Sequence, residues 1–255
     1  MDRITVIDTE SRRFVDALAS TDPAARCPTC PDWSAADLAW HLTEVHYFWA
    51  GILAQKVLTE AGLPAVEAAK PARPSAISDI LTLRAEATAK LCSELTDRND
   101  EEPCWSWWPS DQTVGFTRRM QTYEATMHRI DAELAPGVPV SAIAREVAAG
   151  AVDHAVDVMW GWMPDDASAR SGSVVEFVAT DAGSRWRVDV GSWTAPTGAS
   201  GPRGTRGDAG EPAAVVTGPV EDLALWAWTR GGSVSISGEP QAVAALDALL
   251  TQGMQ

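Results

Sequence analysis

The chain has 255 residues, enough for one large domain or two modest ones, and its 45% hydrophobic and 22% charged content is ordinary for a soluble globular protein. A formal net charge of −15 argues against nucleic acid or an anionic membrane as partner, because phosphates would be repelled rather than neutralised. No apolar run approaches the roughly 20 residues that cross a bilayer, and the charged N-terminus lacks a signal-peptide core, so a cytoplasmic protein with reduced cysteines is expected.

Residues 1–163 read as one helix after another. "RITVIDTESRRFVDALAS" sets Ile4, Ile7, Phe14 and Leu18 near one face at helical spacing. "DPAARCPTCPDW" then breaks the pattern with three prolines. Ser34 can cap a second helix, with Asp37 three residues on as in a capping box. That helix is expected to run through "AADLAWHLTEVHYFWAGILAQKVLTE" until Gly62 and Pro64 stop it. "SAISDILTLRAEATAKLCSELTD", opened by Ser75, predicts a third helix. "GFTRRMQTYEATMHRIDAE", residues 115 to 133, lies in a fourth, and "SAIAREVAAGAVDHAVDVMWGWM" predicts a fifth.

The composition then changes. "SVVEFVAT", "RWRVDVG" and "AAVVTG" are short, β-branched and alternating, which predicts strands of a small sheet. "TAPTGASGPRGTRGDAGEP" is rich in Gly and Pro and reads as a mobile surface loop. "PVEDLALWAWTR" predicts a helix with Pro219 in its first turn, "GSVSISG" a strand, and "EPQAVAALDALL" a last helix. The expected organisation is a helical bundle over 1–163 and a smaller α+β domain over 172–255. Twelve tryptophans are many for this length, and the groups Trp105, Trp107, Trp108 and Trp160, Trp162 suit core or the lining of an apolar cleft. There is no internal repeat, nucleotide-binding glycine motif or nucleophile elbow.

Of the four histidines, His41, His46, His128 and His154, the informative one is His128, four residues after Glu124. Residues four apart share a helix face, so this pair can aim a carboxylate and an imidazole at one point. The bland alternative is a helix-surface ion pair worth about 0.2–0.5 kcal/mol, and spacing alone favours it. A metal site would need a third ligand from a neighbouring helix. His41, beside the apolar positions Leu38, Leu42 and Val45, is the natural candidate. A His–Glu–His set leaves coordination positions open, as in catalytic rather than structural sites. Nitrogen and oxygen donors suit zinc and would accept nickel, cobalt or iron. His46 points about 140° away from His41 and reads as a pocket or supporting residue. His154 reads as a helix-face histidine. The lone "CPTC", Cys27 to Cys30, reads as turn chemistry rather than a zinc or redox pair. Arg118, Arg119 and Arg129 could grip an anionic substrate, Arg119 being the candidate retained.

Three segments in order carry a resemblance. "CPTCPDWSAADLAWHLTEVHYFW" resembles C-P-G-W-(S/T)-x-x-D-L-x-x-H-L, and "YEATMHRIDAE" resembles E-x-x-x-H-R-x-D-A. "VVTGPVEDLALWAWTRGGSVSISGEP" resembles a G-x-x-x-D-L-x-L-W-x-W segment followed by a strand. Together they resemble the mycothiol-dependent maleylpyruvate isomerase family, a branch of the DinB/YfiT-like metalloenzymes. The resemblance implies an N-terminal DinB-like four-helix bundle and a smaller C-terminal α/β, sterol-carrier-like domain. It implies a divalent metal, usually zinc, on His41, Glu124 and His128, with mycothiol as cosubstrate. The implied activity is a thiol-dependent cis–trans isomerisation, or S-transfer to a small electrophile, through a thiolate made at the metal. Trp228 and Arg230, in "WAWTRGGS", are the implied contacts to the thiol, although many relatives carry a run of arginines there. The competing functions are a non-catalytic bundle that holds a metal and a hydrophobic ligand, and a metal-dependent hydrolase in which water attacks.

Overall fold

The structure, a computed structural model, describes residues 1–207 and 210–253. It divides into two compact units, Met1–Ser141 and Ala142–Gln255. In the first, four long helices form the bundle: α1 (Arg3–Ala19), α2 (Ala35–Ala54), α4 (Ile77–Thr96) and α5 (Val114–Leu134), with a short α3 (Leu63–Ala69) between α2 and α4. α1 packs on α4 and α5, and α2 packs on the same two. Side-chain caps start α1 and α2. Asp2 accepts from the Thr5 amide at the head of α1, and Ser34 with Asp37 forms the reciprocal capping box of α2. Phe14 and Leu18 of α1, Leu38 and Leu42 of α2, and Ile80 and Leu81 of α4 share one buried cluster. α5 is the central helix, buried nearly all round from Val114 to Glu133.

Two expectations fail at helix ends. α2 stops at Ala54 rather than at Gly62, because Lys56 takes φ +50, a left-handed conformation that no α-helix continues through. Pro64 does not stop a helix. It sits in the first turn of α3, where a missing N–H costs nothing. α4 begins at Ile77 with no side-chain cap, so Ser75 plays no capping role.

In the second unit, α6 (Arg145–His154) continues into a π-helical turn, Ala155–Met159. A five-stranded sheet follows, in the order β5 (Ser200–Arg206), β4 (Arg185–Thr194), β3 (Ser168–Ala179), β6 (Ala214–Gly218), β7 (Ser235–Gly238). The β3–β6 pair is parallel and the other pairs are antiparallel. α7 (Val220–Ala227) and α8 (Pro240–Thr251) complete it. Helix α6, expected in the bundle, belongs to this unit. Trp228 donates its indole N–H to the Ala151 carbonyl at 2.9 Å, Trp186 donates to Asp153 at 2.8 Å, and His154 stacks on Trp228. The division therefore falls before Ala142, not between 163 and 172.

The Gly/Pro-rich segment read as a mobile loop contains β5. Strand pairing is made by backbone groups, so a segment with few side chains can still pair along an edge. Gly198, at φ +86, supplies the left-handed position that lets the chain reverse from β4, and Ala195 and Ala199 bond across that turn. Residues 208 and 209 of that segment lie outside the described residues. A remaining β-pair, β1 (Arg26–Cys27) with β2 (Cys30–Ser34), makes a small hairpin ahead of α2. Among the described residues no helix is long and apolar enough to cross a membrane.

Candidate metal centre

α2 and α5 bring three donors to one point. His41 Nε2 lies 3.4 Å from Glu124 Oε1, and His128 Nε2 lies 3.3 Å from the same oxygen. One ligand atom from each of the three lies within 4.8 Å of the others. Donors held about 2.0–2.2 Å from one tetrahedral ion stand roughly 3.3–3.6 Å apart, and the two contacts to Glu124 have that spacing. The surface-pair reading of Glu124 and His128 is excluded by burial, since the His128 side chain is only 2% exposed. His41 and Glu124 remain partly open, at 29% and 19%, which leaves one side of the cluster approachable. Trp33, in β2, lies beside the cluster, its ring 4.5 Å from the His41 ring and 6.2 Å from the His128 ring.

The electrostatics agree with a cation site. Burial alone would raise the Glu124 carboxyl, but hydrogen bonds and charge from His128 and His41 hold it well below the usual carboxylate range. Burial would lower His128, yet Asp131 and Glu124 carry it up to about 9. Two carboxylates thus compete for a positive charge on one imidazole edge and the other. A divalent ion at the Nε2 side would satisfy Glu124 in place of that proton.

Asp131, three residues beyond His128, takes the other imidazole nitrogen: Nδ1 to Oδ2 is 2.8 Å. That contact fixes the ring and leaves Nε2 directed at Glu124. Asp131 is itself held, by the Thr29 hydroxyl at 2.5 Å and the Cys30 thiol at 3.8 Å. "CPTC" is therefore turn chemistry with a use: it presents Thr29 and Cys30 to the carboxylate behind His128. Both cysteines are buried, and burial, with Cys30 beside it, pushes the Cys27 thiol up to about 12, which makes it a poor nucleophile. Replacing Asp131 by Asn should cost about 10–100-fold in zinc affinity, the usual effect of losing an outer partner of a ligating histidine. Competition against a chromophoric chelator measures this, and an unchanged affinity would remove Asp131 from the site.

A family profile described as mycothiol maleylpyruvate isomerase N-terminal domain matches residues 5–133, which contain all three donors. The chain belongs to the mycothiol-dependent maleylpyruvate isomerase family. Two crystal structures share its fold: the mycothiol-dependent maleylpyruvate isomerase, at TM-score 0.60 and 14% identity, and a histidine-to-alanine mutant of it, at 0.61 and 13%. Each alignment covers 94% of both chains. No curated protein matches the chain. The DinB-like bundle with a C-terminal α/β domain, expected from the sequence, is the fold this family shows.

The arginine candidates of the first unit bond to groups other than the three donors. Arg119 pairs with Asp111 and stands about 140° round α5 from Glu124. Arg118 donates to the Leu95 and Arg98 carbonyls. Arg129 is fully buried between Glu10 and Glu133 and is not available to a substrate. In the second unit, Trp228 and Arg230 are 4% and 5% exposed, and Arg230 donates to the Trp228 carbonyl at 2.8 Å.

His46 and Arg84 form a pair that the sequence did not announce. The buried Arg84 guanidinium donates to His46 Nδ1 at 2.7 Å, to Thr88 at 2.7 Å and to Ser11 at 2.8 Å, all neutral groups. Burial, then the Arg84 charge, pushes His46 well below its ordinary range, so it is a neutral acceptor, and burial brings Arg84 down to about 9. One arginine in an amphipathic helix reads as exposed, so only the fold could reveal it.

Proposed function

We propose that this protein is a metal-dependent enzyme that uses a low-molecular-weight thiol of the mycothiol type. Its reaction is cis–trans isomerisation of, or S-transfer to, a small electrophile. The observation that carries this reading is the convergence of His41, Glu124 and His128, with no fourth His, Cys, Asp or Glu joining them among the described residues, in a chain of this family. Zinc fits the nitrogen and oxygen donor set. When bound, such an ion lowers the pKa of a thiol at its open position, so that a thiolate is present near neutral pH.

The protein's own groups do the rest. Glu124 and the two imidazoles supply the donors, Asp131 keeps His128 in one orientation, and Trp33 offers an apolar wall beside His41. The thiolate sulfur forms a bond to one alkene carbon, and the π electron pair moves onto the conjugated carbonyl oxygen. The former double bond rotates, the pair returns, and the C–S bond breaks to give the trans alkene and the thiolate. For S-transfer, a proton adds at the neighbouring carbon and the conjugate leaves.

The test is a rate measurement on zinc-loaded protein with maleylpyruvate and a panel of electrophiles, with and without mycothiol. Turnover should require added thiol. Equal turnover without it would favour metal-dependent hydrolysis. Saturable binding with no turnover in either case would favour the non-catalytic binding reading.

A further inference from the structure

The inner face of α5 carries more polarity than the metal donors need. Thr117, Gln121, Glu124, His128 and Asp131 all fall within about 60° of the Glu124 direction on the helix wheel. Thr117, Gln121 and Asp131 are fully buried, on a helix whose other buried positions include Phe116, Met120, Met127 and Ile130. Glu124, His128 and Asp131 account for one end of this stripe. Gln121 is one turn before Glu124, about 4.5 Å along the axis, and neither its Oε1 nor its Nε2 has a hydrogen-bond partner among the described residues.

A buried carboxamide with donor and acceptor both unmade is costly, and a leucine of similar volume would avoid that cost. Such exceptions to local rules concentrate at functional sites. The helix phase turns this one toward the same side as the metal donors.

We propose that Gln121 is a substrate-binding residue of the metal site: its Nε2–H donates to the carbonyl or carboxylate oxygen of an α,β-unsaturated acid. The proposal rests on the thiol-addition reading above. As the sulfur bonds to the alkene carbon, negative charge moves to that oxygen, and a preset amide donor there stabilises it without reorganisation. One helical turn separates Gln121 from Glu124, a span that suits an alkene carbon at the metal end and its conjugated oxygen at the other.

The experiment titrates maleate, an unreactive cis diacid, into zinc-loaded wild type, Gln121→Leu and Gln121→Asn by calorimetry, with zinc content and melting temperature measured for each. Gln121→Leu should keep its zinc, melt at least about 2 °C higher, and bind maleate about tenfold or more weakly. Gln121→Asn, one methylene shorter, should also weaken binding but without the gain in melting temperature. Unchanged maleate binding in both variants overturns the assignment and leaves Gln121 a core residue. So does a zinc-loaded wild type that binds no maleate, with the metal reading left intact. A wild type that takes up no zinc overturns the metal reading instead, and this proposal with it.

Discussion

Replacing Glu124 or His128 by alanine is expected to strip the protein of its metal and of its thiol-dependent turnover together. Each substitution removes one of three donors whose ligand atoms lie within 4.8 Å of each other, and no nearby His, Cys, Asp or Glu completes the set among the described residues. The loss in zinc affinity should exceed the roughly 10–100-fold that an outer partner such as Asp131 commands. Glu124→Ala also leaves His128 and His41 facing each other without the carboxylate between them. Metal analysis of purified variants decides the point: wild type should hold about one equivalent of zinc and each variant close to none. A variant that retains a full equivalent would show that the cluster is not the metal site. A variant that loses zinc but keeps turnover would separate the metal from the chemistry.

How much of this was readable beforehand differs by element. The four bundle helices were, because their apolar residues recur at helical spacing and Ser34 with Asp37 marks one start. The end of α2 was not: Lys56 is an ordinary helix former whose positive φ is imposed by the turn. β5 was hidden because glycine and proline carry no strand signal while the backbone still pairs. The membership of α6 was hidden because an apolar stripe tells that a helix is covered but not by what. At the site, the i,i+4 spacing raised Glu124 and His128 as a pair but favoured a surface contact, an apolar context raised His41, and the three ordered segments turned the reading to a metal. Asp131 stood in the quoted "HRIDAE" and could have been found, since a carboxylate three residues after a ligating histidine can reach its second nitrogen. Arg84 and Gln121 give no such signal, because single polar residues in amphipathic helices read as solvent-facing until neighbouring helices are placed.

Arg129→Met should be among the most destabilising single changes in the first unit, by about 3–5 kcal/mol. Arg129 Nε donates to Glu10 at 2.6 Å, and its Nη1 donates to Glu133 at 2.8 Å and to the Ser141 carbonyl at 2.6 Å. The guanidinium is fully buried, while Glu10 and Glu133 are 8% and 6% exposed. Methionine fills much of the volume but leaves two largely buried carboxylates without the cation they share, and Ser141 without a donor. Removing one partner of such a network costs far more than the network contributes relative to apolar packing, because the desolvated charges stay behind. Arg129→Lys, which keeps the charge but lacks the planar fork that reaches three acceptors, should recover only part of the loss. The shift in urea midpoint measures both. If Arg129 instead gripped substrate, the methionine variant would keep its midpoint and lose only affinity for an anionic ligand. A loss below about 1 kcal/mol, within the range of ordinary substitutions, would therefore reopen Arg129 as a binding residue.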